Sequence, residues 1–484
     1  MKSSSNFSIF DFPKSLISLR KGAAMNTNNT FSLSLQKQVE QQRIIYDSEI
    51  NKAFNELKIK SLLKRSGIVK EKGYPTISLV FIYVLVPFFK KKLSEYWNSK
   101  YIQNHIKAQK DVYYRFINCE RFNWRKFIYF VALKIIHFCD DVPLSQKVLI
   151  ADDTIAAKTG KEMELVSYHF DHKIHRTILG NQYLQLGYHN GVNFFPIDMA
   201  IKTSAKRPNK RTRAVDKRTS GWRRRTEALN KKTDTLIQMI NRAWKSGIDA
   251  AFVLFDSWFA HDDVISKIIK SGYGVICRLK KGRVKYEYQG AVYSLKELWR
   301  QVARKKTTLI DKYQVKGACI DVSLPKTGPV RILFISDGKK EWHALLCTDM
   351  LLEGADILGY YARRWAIEIF FKDAKQMLCL GKEQSNTFDA AIACYSIMML
   401  RYLLLVYLVS KRRIIGPLGP LFRQVSDDHL LLAFAEKIWA YVKELIIKSS
   451  QIICYKMEPD VILQMIEIVE NNIVSQTRLS TAKL

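Results

Sequence analysis

Three acidic residues, far apart in the chain, have side chains suited to metal-dependent chemistry on phosphate esters. Asp153 and Asp256 each end a short apolar run, and Glu368 lies within a helical pattern. Carboxylate oxygens are the ligands that Mg²⁺ prefers, and Mg²⁺ keeps several positions for water and phosphate oxygens. Two such ions can stabilise both the attacking and the leaving oxygen of a phosphodiester. The three acids therefore predict a metal site that acts on such a substrate.

The residues around Glu368 add groups that bind phosphate. Tyr361, Arg364 and Lys375 lie seven residues before, four before and seven after Glu368. At about 100° per residue, these offsets place the four side chains within roughly 60° of one another on a helix. A guanidinium and an ammonium can hold phosphate while the carboxylate holds metal. We therefore expect one long helix, residues 354–378, to present a polar face to the site.

The elements that must position these residues follow an α/β order. Apolar runs at 148–154 and 251–256 end in acids, as expected of buried strands whose C-terminal ends bind ligands. Asp152 and Asp153 are adjacent, so only one of them can face the site. The remaining strands are predicted at 183–189 and 192–201, joined by the hairpin signal Asn190-Gly191, and at 273–279. Helices are predicted at 222–244 and 261–270.

The rest of the chain divides into a β-rich segment and helical ends. Residues 281–343 alternate between polar and apolar with Gly and Pro turns, which predicts antiparallel strands. A last strand is predicted at 344–348. Residues 32–141 and 390–470 have helical patterns. The apolar stretch 390–409 is long enough to span a bilayer but carries Arg401 near its middle, so we interpret it as a buried helix and expect no membrane association.

The charge of the chain indicates a polyanionic partner. Its 484 residues include 78 Lys and Arg against 45 Asp and Glu, a formal net charge of +33. Such an excess of positive charge is larger than an ordinary metabolic enzyme carries, and it favours binding to the phosphates of a nucleic acid. Residues 202–232 hold thirteen Lys or Arg and only two acids. We interpret this segment as a loop that contacts DNA phosphates, through Lys206, Arg207, Arg211 and Arg213.

The spacing Tyr361-x2-Arg364-x3-Glu368-x6-Lys375 resembles the Tyr-Arg-Glu-Lys signature of one branch of insertion-sequence DDE transposases. Asp152-Asp153-Thr154, Phe255-Asp256-Ser257 and Thr348-Asp349 are also typical of that branch, and the resemblance covers about residues 145–385. It implies an α/β ribonuclease-H-like core with a β-rich insertion, flanked by helical regions. It also implies that Asp153, Asp256 and Glu368 bind two Mg²⁺ ions, for which Mn²⁺ can substitute. The phasing before Thr154 favours Asp153 over Asp152.

The resemblance further implies the reaction and its partners. The expected activity is metal-dependent cleavage at transposon ends and strand transfer into target DNA, by cut-and-paste transposition. The expected partners are the terminal repeats, target DNA and a second copy of the chain in the DNA complex, in a prokaryotic cytoplasm near the nucleoid. Two alternatives remain: an inactive or domesticated DNA-binding protein, and a structure-selective DNA nuclease.

These patterns predict a division of the chain into five parts. The predicted parts are a poorly structured leader at 1–31, a helical DNA-binding domain at 32–145, the catalytic core at 146–280 and 344–385, the β-strand insertion at 281–343, and a helical C-terminal region at 386–484.

Overall fold

A computed structural model of the chain describes most residues from 48 to 452. The described residues are 48–89, 93–97, 99, 102–103, 106–139, 142–171, 174–204, 213–336, 341–383, 385–412, 416–452, 464 and 468. By their contacts, the described residues up to 430 form one compact unit, and the described residues from 431 onward belong to another. The candidate site lies entirely in the first of these units.

Helices occupy the described N-terminal part of the chain, as the sequence predicts. They are α1 Glu49–Glu56, α2 Ile59–Arg65, α3 Thr76–Leu85, α4 Leu93–Trp97, α5 Lys110–Ile117 and α6 Trp124–Cys139. Their apolar faces are buried, and α6 alone buries Trp124, Phe127 and Ile135.

Twelve strands form a single mixed sheet in the described part of the chain. They are β1 Val148–Ala157, β2 Ser167–Asp171, β3 Arg176–His189, β4 Phe194–Lys202, β5 Phe252–Phe255, β6 Gly274–Arg278, β7 Lys285–Tyr288, β8 Ala291–Ser294, β9 Thr308–Ile310, β10 Val315–Leu324, β11 Gly328–Ser336 and β12 Trp342–Cys347. Their order is β2-β3-β1-β5-β6-β12-β11-β10-β7-β8, with β4 also paired to β3 and β9 to β10. The molecule is therefore a mixed α/β protein.

The centre of the sheet combines antiparallel and parallel pairing. Strand β3 pairs antiparallel with both β1 and β4, and the predicted hairpin at Asn190-Gly191 joins β3 to β4. Strands β1, β5 and β6 are mutually parallel neighbours. Three helices make the connections between these strands: α7 Ser220–Leu229 and α8 Lys232–Lys245 precede β5, and α9 Asp262–Lys270 precedes β6. The C-terminal end of β5 consequently lies beside the middle of β1, which continues to Ala157.

The predicted antiparallel strands of residues 281–343 are present and extend this sheet. Strand β12 pairs antiparallel with β6 on one side and with β11 on the other. Strand β10 then pairs with β11 and β7. A short helix, α10 Leu295–Gln301, interrupts the strands and begins with a capping box between Ser294 and Glu297.

Four helices follow the sheet: α11 Gly354–Ala362, α12 Trp365–Gln376, α13 Phe388–Lys411 and α14 Leu418–Ile452. In two places the sequence predicts one continuous helix where the structure has two. The helix expected over 354–378 is two helices. At the break, the backbone N–H groups of Arg363 and Arg364 donate hydrogen bonds to carbonyl oxygens three residues earlier, as in a 3₁₀ turn, instead of four. The helix expected over 222–244 is likewise two, because Asn230 is extended, with φ −64° and ψ 160°.

Helix α13 forms much of the core, which confirms the interpretation of the apolar stretch around Arg401. By length and composition alone it could cross a membrane, yet 94% of its most apolar 18-residue window is buried within the protein. The buried Arg401 guanidinium donates hydrogen bonds to the carbonyl oxygens of Tyr83, Val84 and Leu378. Its charge is thereby solvated by backbone carbonyls at the ends of α3 and α12.

Candidate active site

Asp152 and Asp256 lie on neighbouring parallel strands, where their mutual pairing ends. Asp256 directly follows β5, whereas β1, which the sequence predicts to end at the acids, continues past Asp152 to Ala157 along β3. Strands β1 and β5 are in register with Ile150 opposite Leu254, and each acid follows its partnered residue by two positions. Because side chains alternate along a strand, both acids lie on the same face as that pair. Burial raises the pKa of Asp152 to about 7, with a further contribution from the nearby negative charge of Asp256. The sheet thus brings two carboxyl groups together at its edge.

The structure corrects the expectation that Asp153 is the first acid of the site. Asp153 points to the opposite face of β1. There its carboxylate accepts a hydrogen bond from Gln182 Nε2 at 3.0 Å and forms an ion pair with the Lys232 ammonium. The Lys232 ammonium also lies 3.8 Å from the centre of the Trp258 ring. Asp153 is therefore a partner of helix α8, and Asp152 is the residue that meets Asp256.

The junction between α11 and α12 places the third acid. Arg364 immediately precedes α12, and Glu368 lies in the first turn of that helix. The opposite side of α12 is anchored by Phe370, whose ring packs 5.3 Å from Phe194 and 4.9 Å from Tyr402. This buried anchor fixes the rotation of α12 about its axis. Glu368 is consequently held on the side that faces the strand ends.

Arg364 connects the acids to one another. Its Nη1 lies 3.2 Å from Asp152 Oδ2, and its Nη2 donates to Glu368 Oε1. Its guanidinium carbon is 5.7 Å from the centre of the Tyr361 ring, and burial raises the pKa of the Tyr361 phenol to about 12. The structure therefore unites Asp152, Asp256, Glu368, Arg364 and Tyr361. Tyr361 reaches this cluster from α11, across the helix break.

Lys375 lies farther along the same helix. It is exposed in the last turn of α12, seven residues after Glu368. At a rise of 1.5 Å per residue, the two residues are roughly 10 Å apart along the helix axis. Lys375 thus lies on the same side of α12 as Glu368, about two helical turns farther along.

The predicted basic loop of residues 202–232 is in part a helix, because residues 220–229 form α7. Lys202, Arg224 and Arg225 are buried, and Arg225 pairs with Glu164 and Asp389 at 2.7 Å, so these cations are structural and do not face DNA.

Lys206, Arg207 and Arg211 lie outside the described residues. Arg213 is described: its backbone N–H donates to Glu164 Oε1 at 3.0 Å, and its guanidinium is 3.9 Å from Glu120 Oε2. Its side chain is 53% exposed.

Lys158 is a structural residue near the site that no sequence pattern indicates. Its ammonium donates to the carbonyl oxygens of Gly381 and Glu383 and pairs with the Glu383 carboxylate at 2.7 Å. Gly381 has φ +77°, and a β-carbon there would lie 2.7 Å from the Ala156 side chain. The loop after α12 is thereby held against the end of β1. The partners are more than 200 residues apart, so only the folded chain brings them together.

Lys232, Gln182 and Trp365 also differ from what the sequence suggests. Lys232 and Gln182 were not expected to contact an acid, although they bind Asp153. Trp365, although tryptophan side chains are usually largely buried, is 60% exposed three residues before Glu368. It lies at the first residue of α12, where the helix break turns it outward.

The oxygen-rich site suits a hard divalent cation such as Mg²⁺ or Mn²⁺. The crowding of Asp152 against Asp256 is relieved by a positive charge, as the raised pKa of Asp152 indicates. Within the described part of the chain, however, no three Asp, Glu, His or Cys side chains are gathered around one metal position. Two of the three acids are instead engaged by Arg364.

Comparisons with known proteins bear on the family of this chain. A family model described as DDE superfamily endonuclease matches residues 100–301, and one described as Transposase DDE domain matches residues 210–404. A comparison with curated proteins finds no match. Among solved structures, the NurA nuclease from Sulfolobus solfataricus is matched with 9% identity over 53% of this chain and 86% of that chain, with a TM-score of 0.24. The two family matches support a DDE transposase family for this chain and indicate a nuclease-type enzyme.

Proposed function

We propose that this chain is a transposase that cleaves DNA at transposon ends with the help of divalent metal and transfers the strands into target DNA. The observation that carries the proposal is the position of Asp152 beside Asp256, on neighbouring parallel strands, with Glu368 linked to Asp152 through Arg364. The Tyr-Arg-Glu-Lys branch is the finer assignment, and the spacing of Tyr361, Arg364, Glu368 and Lys375 supports it.

The strand order supports a ribonuclease-H-like core. Strands β4, β3 and β1 are antiparallel neighbours, and β5 and β6 follow in parallel to β1. An acid within the first strand and an acid directly after its parallel neighbour are what such a core would use to hold metal. The antiparallel strands β7 to β12 then separate β6 from the helix that carries Glu368, as the β-rich insertion of this family would.

The chain's own residues suit the two tasks of holding metal and holding phosphate. Asp152, Asp256 and Glu368 would hold two Mg²⁺ ions, or Mn²⁺ in their place. The chemistry that these ions supply when bound is activation of the attacking oxygen and stabilisation of the leaving oxygen. Arg364 and Lys375 would bind phosphates that flank the scissile bond, and the phenol of Tyr361 would donate to one of them.

DNA is the proposed partner, both as terminal repeats and as target. The net charge of +33 supports this, since phosphate contacts dominate the affinity of proteins for DNA. Lys206, Arg207, Arg211 and Arg213 would give general affinity, and the N-terminal helical region would recognise the ends. A homodimer on the DNA and a site of action at the nucleoid in a prokaryotic cytoplasm complete the proposal.

Substitution of the neighbouring acids tests the site directly. The substrate is a labelled duplex from the DNA that flanks the reading frame, incubated with Mg²⁺ or with Ca²⁺. Asp152→Asn, Asp256→Asn and Glu368→Gln are expected to lower cleavage by at least about a thousandfold, because each removes a metal ligand, while binding of the duplex persists. The matched control is Asp153→Asn, one residue away on the opposite face, which should keep most of the activity.

Two outcomes would contradict the assignment. Cleavage in EDTA would exclude a metal mechanism, and loss of cleavage in Asp153→Asn but not in Asp152→Asn would reverse the choice of acid. The alternative function, a structure-selective nuclease, is distinguished by products. A transposase joins the cleaved 3′ end to an added target plasmid, whereas a nuclease releases fragments and joins none.

A further inference from the structure

The position of Arg364 is the feature that the proposed function leaves unexplained. Its guanidinium donates to two of the three proposed metal ligands, Asp152 and Glu368. The three side chains are mostly shielded from solvent, with 17% of Arg364, 20% of Asp152 and 30% of Glu368 exposed. A divalent cation would need the same carboxylate oxygens. The arginine therefore stands where the metal ligands must converge.

We propose that Arg364 is a placeholder for the metal, which holds Asp152 and Glu368 in the DNA-free protein and leaves them when a DNA phosphodiester binds its guanidinium. This inference rests on the proposed function and adds a coupling between its two ligands. Metal and guanidinium compete for the same carboxylates, whereas phosphate and carboxylates compete for the same guanidinium. Binding of DNA thus frees the metal site, and binding of metal frees the arginine for DNA.

The surroundings of Arg364 allow such an exchange. It lies at the break between α11 and α12, next to the N-terminal end of α12, where the helix dipole also favours phosphate. A phosphodiester offers the guanidinium two oxygens in a bidentate geometry, which replaces both carboxylate bonds. Tyr361 lies beside the guanidinium and can remain in contact with it during the movement.

Neighbouring Arg363 provides the contrast. Its Nη1 donates to the Gln146 carbonyl oxygen at 2.8 Å, and its guanidinium carbon is 4.8 Å from the centre of the Tyr360 ring. It carries the same charge at nearly the same place but binds no proposed metal ligand. Any effect of Arg364 that Arg363 does not share comes from contact with the carboxylates rather than from charge alone.

Mn²⁺ binding to the full-length protein tests the coupling without measuring activity. Free Mn²⁺ is followed by electron paramagnetic resonance, with and without a short duplex of the flanking DNA. For the wild type, we expect the duplex to raise Mn²⁺ affinity by roughly tenfold, within the usual range of coupling between two sites. Arg364→Met should bind Mn²⁺ about tenfold more tightly than wild type without DNA and should lose most of the DNA effect. Arg363→Met should behave as wild type.

Further variants and measurements distinguish a failure of the placeholder role of Arg364 from a failure of the proposed metal site. Arg364→Gln removes the charge but keeps a polar side chain, and it should shift Mn²⁺ affinity in the same direction if Arg364→Met does not fold. In the wild-type protein, Mn²⁺ should raise the affinity for DNA by the same factor by which DNA raises the affinity for Mn²⁺, because coupling between two sites is reciprocal. Unchanged Mn²⁺ affinity in folded Arg364 variants would overturn the placeholder role. Mn²⁺ binding that survives in both Asp152→Asn and Asp256→Asn would instead overturn the proposed metal site.

Discussion

Single residues at this site are distinguished by which face of a strand they occupy. Asp152 and Asp153 differ by one position, yet one lies beside Asp256 and the other binds Lys232. Burial, with a further contribution from the charge of Asp256, raises the pKa of Asp152 even though Arg364 lies 3.2 Å away. Asp153 instead pairs with Lys232 on the other face of the strand.

The buried His189 gives a residue-scale prediction on pH. Burial lowers its pKa to about 4, and the positive charge of Arg363 contributes to this; its Nδ1 accepts a hydrogen bond from the Gly191 N–H at 2.9 Å. The folded pKa lies below the unfolded value of about 6.5, so stability is full above pH 6.5 and falls towards pH 4. We expect His189 to account for roughly 1–3 kcal/mol of this loss.

Urea unfolding at several pH values would measure the effect. In His189→Gln, the free energy of unfolding should fall less steeply between pH 6.5 and 4 than in wild type, whatever its absolute value. The exposed His261, changed to Gln, should leave the wild-type profile unaltered. Parallel profiles for His189→Gln and wild type would show that His189 is not the group responsible.

At the scale of elements, the site depends on a few buried contacts between helices and the sheet. Helix α12 is anchored through Phe370, and the loop after it is tied to β1 by Lys158. Arg401 in α13 then binds the last carbonyl groups of α3 and the Leu378 carbonyl beyond α12. These contacts hold the helix that carries Glu368 against the strands that carry the aspartates.

Arg401 supplies the element-scale prediction. Arg401→Met should lower the free energy of unfolding by about 2–4 kcal/mol, because it leaves three buried carbonyl groups without their charged donor. Chemical denaturation measures this change. The matched control is Lys411→Met on the same helix, whose exposed ion pair with Glu56 should contribute only about 0–1 kcal/mol. Similar losses in both variants would contradict the special role of the buried arginine.

At the scale of the whole molecule, positive charge is the dominant property. The excess of 33 charges is spread over the chain and includes the basic segment 202–232. Such a charge gives affinity for any DNA, whereas the acids of the site are a local negative patch within it. Under the proposed function, a divalent cation bound at the site would therefore reduce the repulsion between the acids and the DNA backbone.

The salt dependence of DNA binding tests the contribution of the basic loop. Replacing Lys206, Arg207, Lys210, Arg211 and Arg213 with Gln should weaken binding to end and non-end duplexes alike. It should also reduce the slope of log affinity against log salt by up to about 4, at roughly 0.9 for each DNA phosphate that the variant no longer neutralises. Fluorescence anisotropy at several salt concentrations measures both. Loss of preference for the ends at unchanged total affinity would place sequence recognition in this loop instead.

Local patterns were sufficient to predict much of this protein. Apolar runs that end in acids predicted β1 and β5, and Asn190-Gly191 predicted the β3–β4 hairpin. Each of these depends on the conformational preferences of a few neighbouring residues, which the chain carries wherever it folds.

Long-range pairing decided the rest. The register of β1 against β5, about a hundred residues later, selects Asp152 over Asp153, and the break before α12 exposes Trp365. Lys232 and Lys158 find their partners only when distant segments meet. The physical reason is that the alternation of side chains along a strand assigns neighbouring residues to opposite faces, but it does not show which of the two faces holds the site. Only the neighbouring strand and the helices packed on each side determine the face on which the chemistry takes place.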